Sequence, residues 1–306
     1  MEIQQKLKLI LQLTGLSQDK LAKEIGVTFA SLNRWLNNHS QPRKNQIDKI
    51  NQIYFKLTGK KDFSNSLTIK KDIILNKQKI FNSNVLKYIL KNEDIYNEIV
   101  LSVTYHTNKI EGSTLTKKET QAILFDNSNI SNKSLREHLE AKNHQAAIQY
   151  LFDYLLKNKK INEELILKLH SILMNGILSN AGNYRTHGVR IVGSNVPTAN
   201  YIKIPNLMHN LIQKINKKEK DIINQVSMIH AEFEKIHPFS DGNGRIGRLI
   251  LIAQLLKENI APAIIKQDIK HKYYNALDEV QLKENYLKLE ELVCDAIIFS
   301  YTLLEK

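Results

Sequence analysis

A single cysteine, Cys294, in 306 residues excludes an internal disulfide framework and any zinc cluster built from cysteines. Only 5 prolines and 11 glycines punctuate the chain, too few for the many turns of an all-β fold. Apolar runs are short. The stretch 249–256, LILIAQLL, falls far below the ~20 residues of a membrane span, so no membrane partner is expected. Met1 is followed by mixed polar sequence, with no apolar segment of the signal-peptide kind. Together with the scarce cysteine, this makes the reducing cytoplasm the expected compartment. Acidic residues are the minority charge: 31 Asp and Glu stand against 44 Lys and Arg, a net +13 with a pI near 9.5. Such an excess suits an anionic partner. Abundant Lys, Asn and Ile is equally what a compositional bias of the coding DNA produces. Hydrophobic residues, 42% of the chain, are enough for a real core and too many for a disordered chain.

What is present recurs at helical spacing. Residues 161–173 place Leu165, Leu167, Leu169, Ile172 and Leu173 on overlapping helix faces, and 222–236 and 249–256 read alike. The expected fold is all-α. Residues 1–58 form a small unit of short helices, and 59–84, rich in Lys, Asn and Ser, form a linker with some helix. Residues 85–306 make one larger helical domain, with a polar loop at 127–134. One stretch departs from this pattern. Residues 182–205, GNYRTHGVRIVGSNVPTANYIKIP, carry glycine, proline and β-branched runs that predict a short β-hairpin or flap.

Near the N-terminus, Ser17 is placed to cap a helix through Ile25, with Leu21, Ala22 and Ile25 on its apolar face. Gly26 supplies a turn and Thr28 caps a second helix through Leu36, anchored by Leu32, Trp35 and Leu36. Thr28, Phe29, Ala30, Asn33 and Arg34 are then left near its outward-facing start, the arrangement that enters a DNA major groove. The segment resembles the repressor/Cro-type helix-turn-helix family in Gln18, Leu21, Ala22, Gly26, Val27, Leu32 and Trp35. That resemblance implies DNA binding, with groove contacts on Phe29, Ala30 and Arg34. Ten basic against four acidic residues in 1–60 suit phosphate contacts. Phe29 and Ala30 cannot make bidentate hydrogen bonds to bases, so base readout is weak on paper. A helical bundle for protein contacts is the alternative.

Residues 237–248 read HPFSDGNGRIGR. Pro238 ends the preceding helix, and Gly242 and Gly244 permit a tight turn with converging N–H groups. A second helix is expected from about Arg245 to Leu256. A glycine-rich loop feeding a helix is an anion site. Arg245 and Arg248, three apart, lie beside it on one helix face and can fork onto phosphate oxygens. Asp241 is an oxygen ligand suited to Mg²⁺ against phosphates. His237 titrates near neutrality and can act as a general base. These parts describe phosphoryl-group transfer from a Mg²⁺-bound nucleotide.

The segment resembles the signature of the Fic family, HPFxDGNGRxxR, at every fixed position, and the likeness runs over roughly 85–300. It implies a protein AMP-transferase moving AMP from ATP to a Tyr, Thr or Ser hydroxyl of a target protein. By that resemblance His237 deprotonates the hydroxyl and Asp241 holds Mg²⁺. Gly242, Asn243 and Gly244 form the anion hole, with Asn243 on the α-phosphate, and Arg245 and Arg248 bind the β- and γ-phosphates. Residues 182–205 resemble the family's flap, with Val192, Gly193, Ser194 and Asn195 in the nucleotide site, and Tyr273 and Tyr274 resemble the pair lining adenine and ribose. Residues 107–112, TNKIEG, match the family's inhibitory pattern at the end of a helix of about 95–111. Glu111 there implies a pair with Arg248 that takes the γ-phosphate's place.

Alternatives stay open at this stage. The same glutamate positions a water in Fic proteins that also remove AMP. A transcription regulator with a nucleotide-sensing Fic domain, or a different donor, fits the same fold. The target, the base preference and the oligomeric state, a homodimer included, are not fixed by these residues.

Overall fold

The computed structural model describes residues 3–58, 64–81, 83–190 and 196–305. It divides into two compact units, Met1–Ile69 and Lys70–Lys306. Among the described residues every regular element is helical, and no helix is long and apolar enough to cross a membrane.

The smaller unit holds α1 (Ile3–Thr14), α2 (Gln18–Ile25), α3 (Phe29–Leu36) and α4 (Lys44–Thr58). The expected caps form: Ser17 accepts from the Lys20 N–H and Thr28 from the Ser31 N–H, and Gly26 closes α2 at φ 81°. Positive φ is what a glycine tolerates without Cβ strain. Leu7, Ile10, Leu21, Ile25, Leu32, Trp35, Leu36 and Ile50 pack into one core. The next helix, α5 (Ser64–Ile80), replaces the expected linker over most of its length. From Lys70 onward it belongs to the larger unit. Lys70 pairs with Asp295, and Lys71 with Asp221 and Glu290.

The larger unit continues with α6 (Val85–Lys91), α7 (Glu93–Ile110), α8 (Lys117–Phe125), α9 (Leu135–Leu156) and α10 (Glu163–Leu173). After these come α11 (Ile204–Ile215), α12 (Ile222–Ile236), α13 (Asn243–Lys257), α14 (Lys270–Lys283) and α15 (Leu287–Leu304). Capping boxes start α8 at Thr116 and α9 at Ser134, which bounds the polar loop between them. At the centre is α13, buried at all but two of its positions, which explains its continuous apolar run. It packs against α12, α9, α10 and α7.

Two expectations need correction. The second helix of the signature motif begins at Asn243, two residues before Arg245, so Asn243 and Gly244 lie in its first turn. No strand forms in the described part of the flap. Residues 183–190 and 196–200 are irregular, and 201–205, expected to close the hairpin, are helical. Pro205 sits in the first turn of α11, where a missing N–H costs nothing. Val192, Gly193, Ser194 and Asn195 lie outside the described residues.

Candidate active site

The His-Pro step ends α12 as expected, and it does so with His237 in the left-handed region, at φ 51° and ψ 61°. For a residue with a Cβ this costs on the order of 1–3 kcal/mol, and it persists only where surrounding contacts impose it. The His237 N–H closes the helix onto the Phe233 carbonyl at 2.9 Å, and its Nδ1 lies 3.2 Å from the Glu234 carbonyl. A carbonyl can only accept, so Nδ1 carries the proton and Nε2 keeps its lone pair. Burial lowers the imidazole's pKa, and the Arg185 cation adds to this, which keeps the ring neutral.

The loop 238–242 is braced from within. Phe239 donates its N–H to Asn243 Oδ1 at 2.9 Å, and Asn243 Nδ2 donates back to the Phe239 carbonyl at 2.9 Å. Both amide atoms of Asn243 are therefore engaged with the loop backbone. The N–H groups at the head of α13 have no intrahelical partners, as at any helix start, which suits an anion. His170 stacks on Phe239 at 3.8 Å. Its Nδ1 accepts from the Gly182 N–H at 2.8 Å, so Nε2 donates to the Asp241 carbonyl at 3.1 Å. Burial holds this imidazole near 4, uncharged.

Arg245 is 2% exposed, yet its Nε has no hydrogen-bond partner. An unspent cationic donor under cover is costly unless an anion completes it. Its other contacts are loose: Glu140 at 3.3 Å and Asp241 at 3.4 Å. Asp241 is the more open carboxylate. It accepts from the Gly242 N–H at 2.6 Å and from Arg136 at 2.7 Å. Burial pushes its pKa up, but Arg245, the Gly242 N–H and Arg136 outweigh it and leave it below the usual carboxylate range.

Arg248 is 5% exposed and well occupied. Its Nε donates to Thr107 Oγ1 at 2.6 Å and its NH2 to Glu111 Oε1 at 2.5 Å. Glu111 is the C-cap of α7, one residue beyond the helix. Gly244 makes room for the pair, since a Cβ there would collide with the Glu111 carboxylate. Glu234, also buried, feels the Arg248 charge, and burial raises its carboxyl to about 7.

The two neighbouring tyrosines separate. Tyr273 is 1% exposed and its hydroxyl meets His230 Nε2 at 2.6 Å, so its ring is part of the core. Tyr274 is half-buried at the surface. Beside the C-terminal end of α12 lies a cavity of about 420 Å³, lined among others by Ala199, Ile236, Val280, Gln281 and Tyr286. Gln281 Oε1 is buried without a partner. Sequence reasoning missed Gln281, Arg136 and His170, because each acts through residues remote in the chain and none sits in a motif dense enough to mark it; Arg185 enters that reading only as the end of the run Gly182–Arg185 that resembles the start of the flap. In the smaller unit Thr28, Phe29, Ala30 and Arg34 are exposed, while Asn33 is half-buried and donates to Gln18 at 3.3 Å.

Comparison with known proteins finds likenesses in both units. The Fic/DOC family model matches residues 160–255, and a helix-turn-helix model matches residues 7–56. Protein adenylyltransferase Fic of Aedes aegypti is 32% identical over 185 residues, 59% of this chain and 37% of the relative. Protein adenylyltransferase fic-1 of Caenorhabditis elegans is 33% identical over 184 residues, 58% of this chain and 36% of the relative. The matches span well under half of those relatives. Among solved structures, a fragment of C. elegans Fic-1 superposes with a TM-score of 0.69 at 19% identity, covering 97% of this chain and 90% of that one. A Fic domain containing signaling protein from Bacteroides thetaiotaomicron gives 0.66 at 21%, covering 77% and 96%. A Fic domain thus lies within the larger unit, over residues 160–255, and a helix-turn-helix domain within the smaller one, over residues 7–56.

Proposed function

We propose that this chain transfers AMP from ATP to a hydroxyl side chain of a target protein, and that Glu111 holds the reaction in check. The observation that carries this reading is the bond from Arg248 to Glu111, 137 residues away in sequence, beside an Arg245 with unspent donors. One cation of the pair is ready for a phosphate, and the other is already neutralised by a carboxylate. A triphosphate that cannot reach Arg248 binds in a pose from which the α-phosphorus is not attacked.

With Glu111 withdrawn, Arg245 and Arg248 take the β- and γ-phosphates and the head of α13 takes the α-phosphate through backbone N–H groups. The target hydroxyl gives its proton to His237 Nε2 as its oxygen bonds to the α-phosphorus. The bond to the bridging oxygen breaks and pyrophosphate leaves. Asn243 acts on this reading as the brace of the anion loop. Asp241, half-exposed with its ordinary charge reinforced, fits a Mg²⁺ ion whose remaining ligands are phosphate oxygens and water. That ion would neutralise charge on the phosphates. The base fits the cavity beside Ile236 and Val280. There the unpartnered Gln281 Oε1 would be matched by a donor such as the amino group of adenine.

The flap, residues 182–200, would align the target segment by main-chain pairing. Within it Thr198 Oγ1 donates to the Val189 carbonyl at 2.8 Å, a link across its two arms. The helix-turn-helix domain would bind DNA through Arg34 and neighbouring lysines, in the cytoplasm and as a monomer or homodimer.

The test is to incubate Glu111→Gly protein with ATP and cell lysate and to look for AMP adducts by mass spectrometry. Adducts on Tyr, Thr or Ser that vanish on adding His237→Ala are expected. None in either protein would overturn the reading. An electrophoretic shift with the DNA upstream of its own gene tests the smaller domain, and no shift at low salt would count against it.

A further inference from the structure

Arg185 is, with Arg245, among the largest side chains buried in the protein, at 2% exposure, and among the described residues no carboxylate forms an ion pair with it. Among the described residues its guanidinium donates to backbone carbonyls alone. Nε reaches the His237 carbonyl at 2.8 Å, and NH1 reaches His187 at 2.6 Å. NH2 reaches Ala199 at 2.6 Å and Ile236 at 3.4 Å. Its own backbone N–H donates to the Pro238 carbonyl at 2.9 Å. One residue thus holds three consecutive carbonyls, 236, 237 and 238, together with one carbonyl from each arm of the flap.

Two of those carbonyls, Ile236 and His237, are the uncompensated acceptors at the C-terminal end of α12, where a cation is favoured. His237 is also the residue held in the left-handed region, and something must impose that conformation. Its N–H and Nδ1 both return to α12. The Arg185 bond to its carbonyl is the contact that fixes the peptide beyond it.

We propose that Arg185 is the positioning residue for His237: it holds the left-handed His-Pro peptide and ties it to the flap arms at His187 and Ala199, so that the base is set only when both arms are in register. A planar fork with five N–H donors meets four carbonyls, which a lysine ammonium with three cannot do. The charge of Arg185 also opposes protonation of the neighbouring imidazole. The groups acting on His237 in the other direction are the Glu234 carbonyl from α12, Glu111 from the end of α7, and Asp241 from the loop.

The inference rests on His237 being the base, and its test separates the two. The parent protein carries Glu111→Gly, and Arg185→Gln and Arg185→Lys are built in it. Rates of ATP-dependent labelling, binding of ATP by calorimetry, melting temperature, and an NMR titration of the His237 imidazole are measured. Arg185→Gln should lower the maximal rate at least tenfold, leave ATP affinity within twofold, and raise the His237 pKa, which moves the acid limb of the rate profile to higher pH. Arg185→Lys should keep the His237 pKa near that of the parent while the rate stays low, because charge is retained and geometry lost. A rate within twofold of the parent in Arg185→Gln would overturn the proposal. So would a lowered melting temperature with the His237 titration unmoved. If Arg185→Gln fails to fold, Arg185→Lys decides by its rate alone. A parent that does not label at all would overturn the activity instead, and the titration of His237 would still report on Arg185.

Discussion

The two units place their candidate site residues in opposite ways. In the helix-turn-helix unit, Leu32, Trp35 and Leu36 hold α3 in place while Phe29, Ala30 and Arg34 lie exposed. Fold and binding surface are borne by different side chains. In the larger unit Asn243, Arg245 and Arg248 are 2%, 2% and 5% exposed, so the residues proposed to form the phosphate site are also part of the packed interior. A surface that reads DNA must be presented to a large partner, whereas a phosphate is held best where water is excluded and each cation acts at low dielectric. The consequence is testable: in the first unit binding and stability should separate under mutation, and in the second they should not.

The largest effect is expected at the base. In protein carrying Glu111→Gly, His237→Ala should reduce labelling from ATP by about 10²–10⁴-fold, the usual worth of a positioned general base. Next, Glu111→Gly alone should raise self-labelling at least about tenfold over the unmodified chain, since one charge-assisted hydrogen bond contributes ~1.5–3 kcal/mol. Arg34→Ala should weaken DNA binding by ~1–3 kcal/mol in a titration with the melting temperature unmoved. By contrast Arg245→Ala should lower both ATP affinity and the melting temperature. Equal losses of stability for Arg34→Ala and Arg245→Ala would break the comparison. The smallest effect is one of pH. Because the His237 pKa lies below the ordinary histidine value, its base form persists to lower pH. Activity of Glu111→Gly protein should therefore hold below pH ~6.5, where an unperturbed imidazole is half charged.

The same contrast governs what could be read from sequence. Helix starts and stops were legible because a cap is a local event: Ser17, Gly26 and Thr28 act on neighbours three or four residues away. The signature motif was legible for the same reason, its residues falling within twelve positions. The pairing of Glu111 with Arg248 depended on family likeness, since nothing local joins residues 137 apart. Arg136 on Asp241 and Gln281 at the cavity belong to that long-range class and had no local signal. The segment 59–84 read as a linker because its composition is polar. The helix at 64–80 is tied through Lys70 and Lys71 to Asp295, Asp221 and Glu290 and through Lys77 to Glu305, partners more than a hundred residues distant. The β-branched run after Val189 suggested a hairpin, but the chain beyond it is drawn into α11, whose first turn accepts Pro205 and buries Ile204 and Met208. Of the two tyrosines, only depth separates Tyr273 from Tyr274, and depth is a tertiary property.

The central claim is that AMP, and no other part of ATP, is transferred when Glu111 is removed. It is tested most directly by giving the unmodified and Glu111→Gly proteins ATP labelled either at the α- or at the γ-phosphate and measuring label retained on protein. The account predicts strong retention of α-label in Glu111→Gly, little in the unmodified chain, and no γ-label in either. Equal α-label in the two proteins, or retention of γ-label, would contradict it.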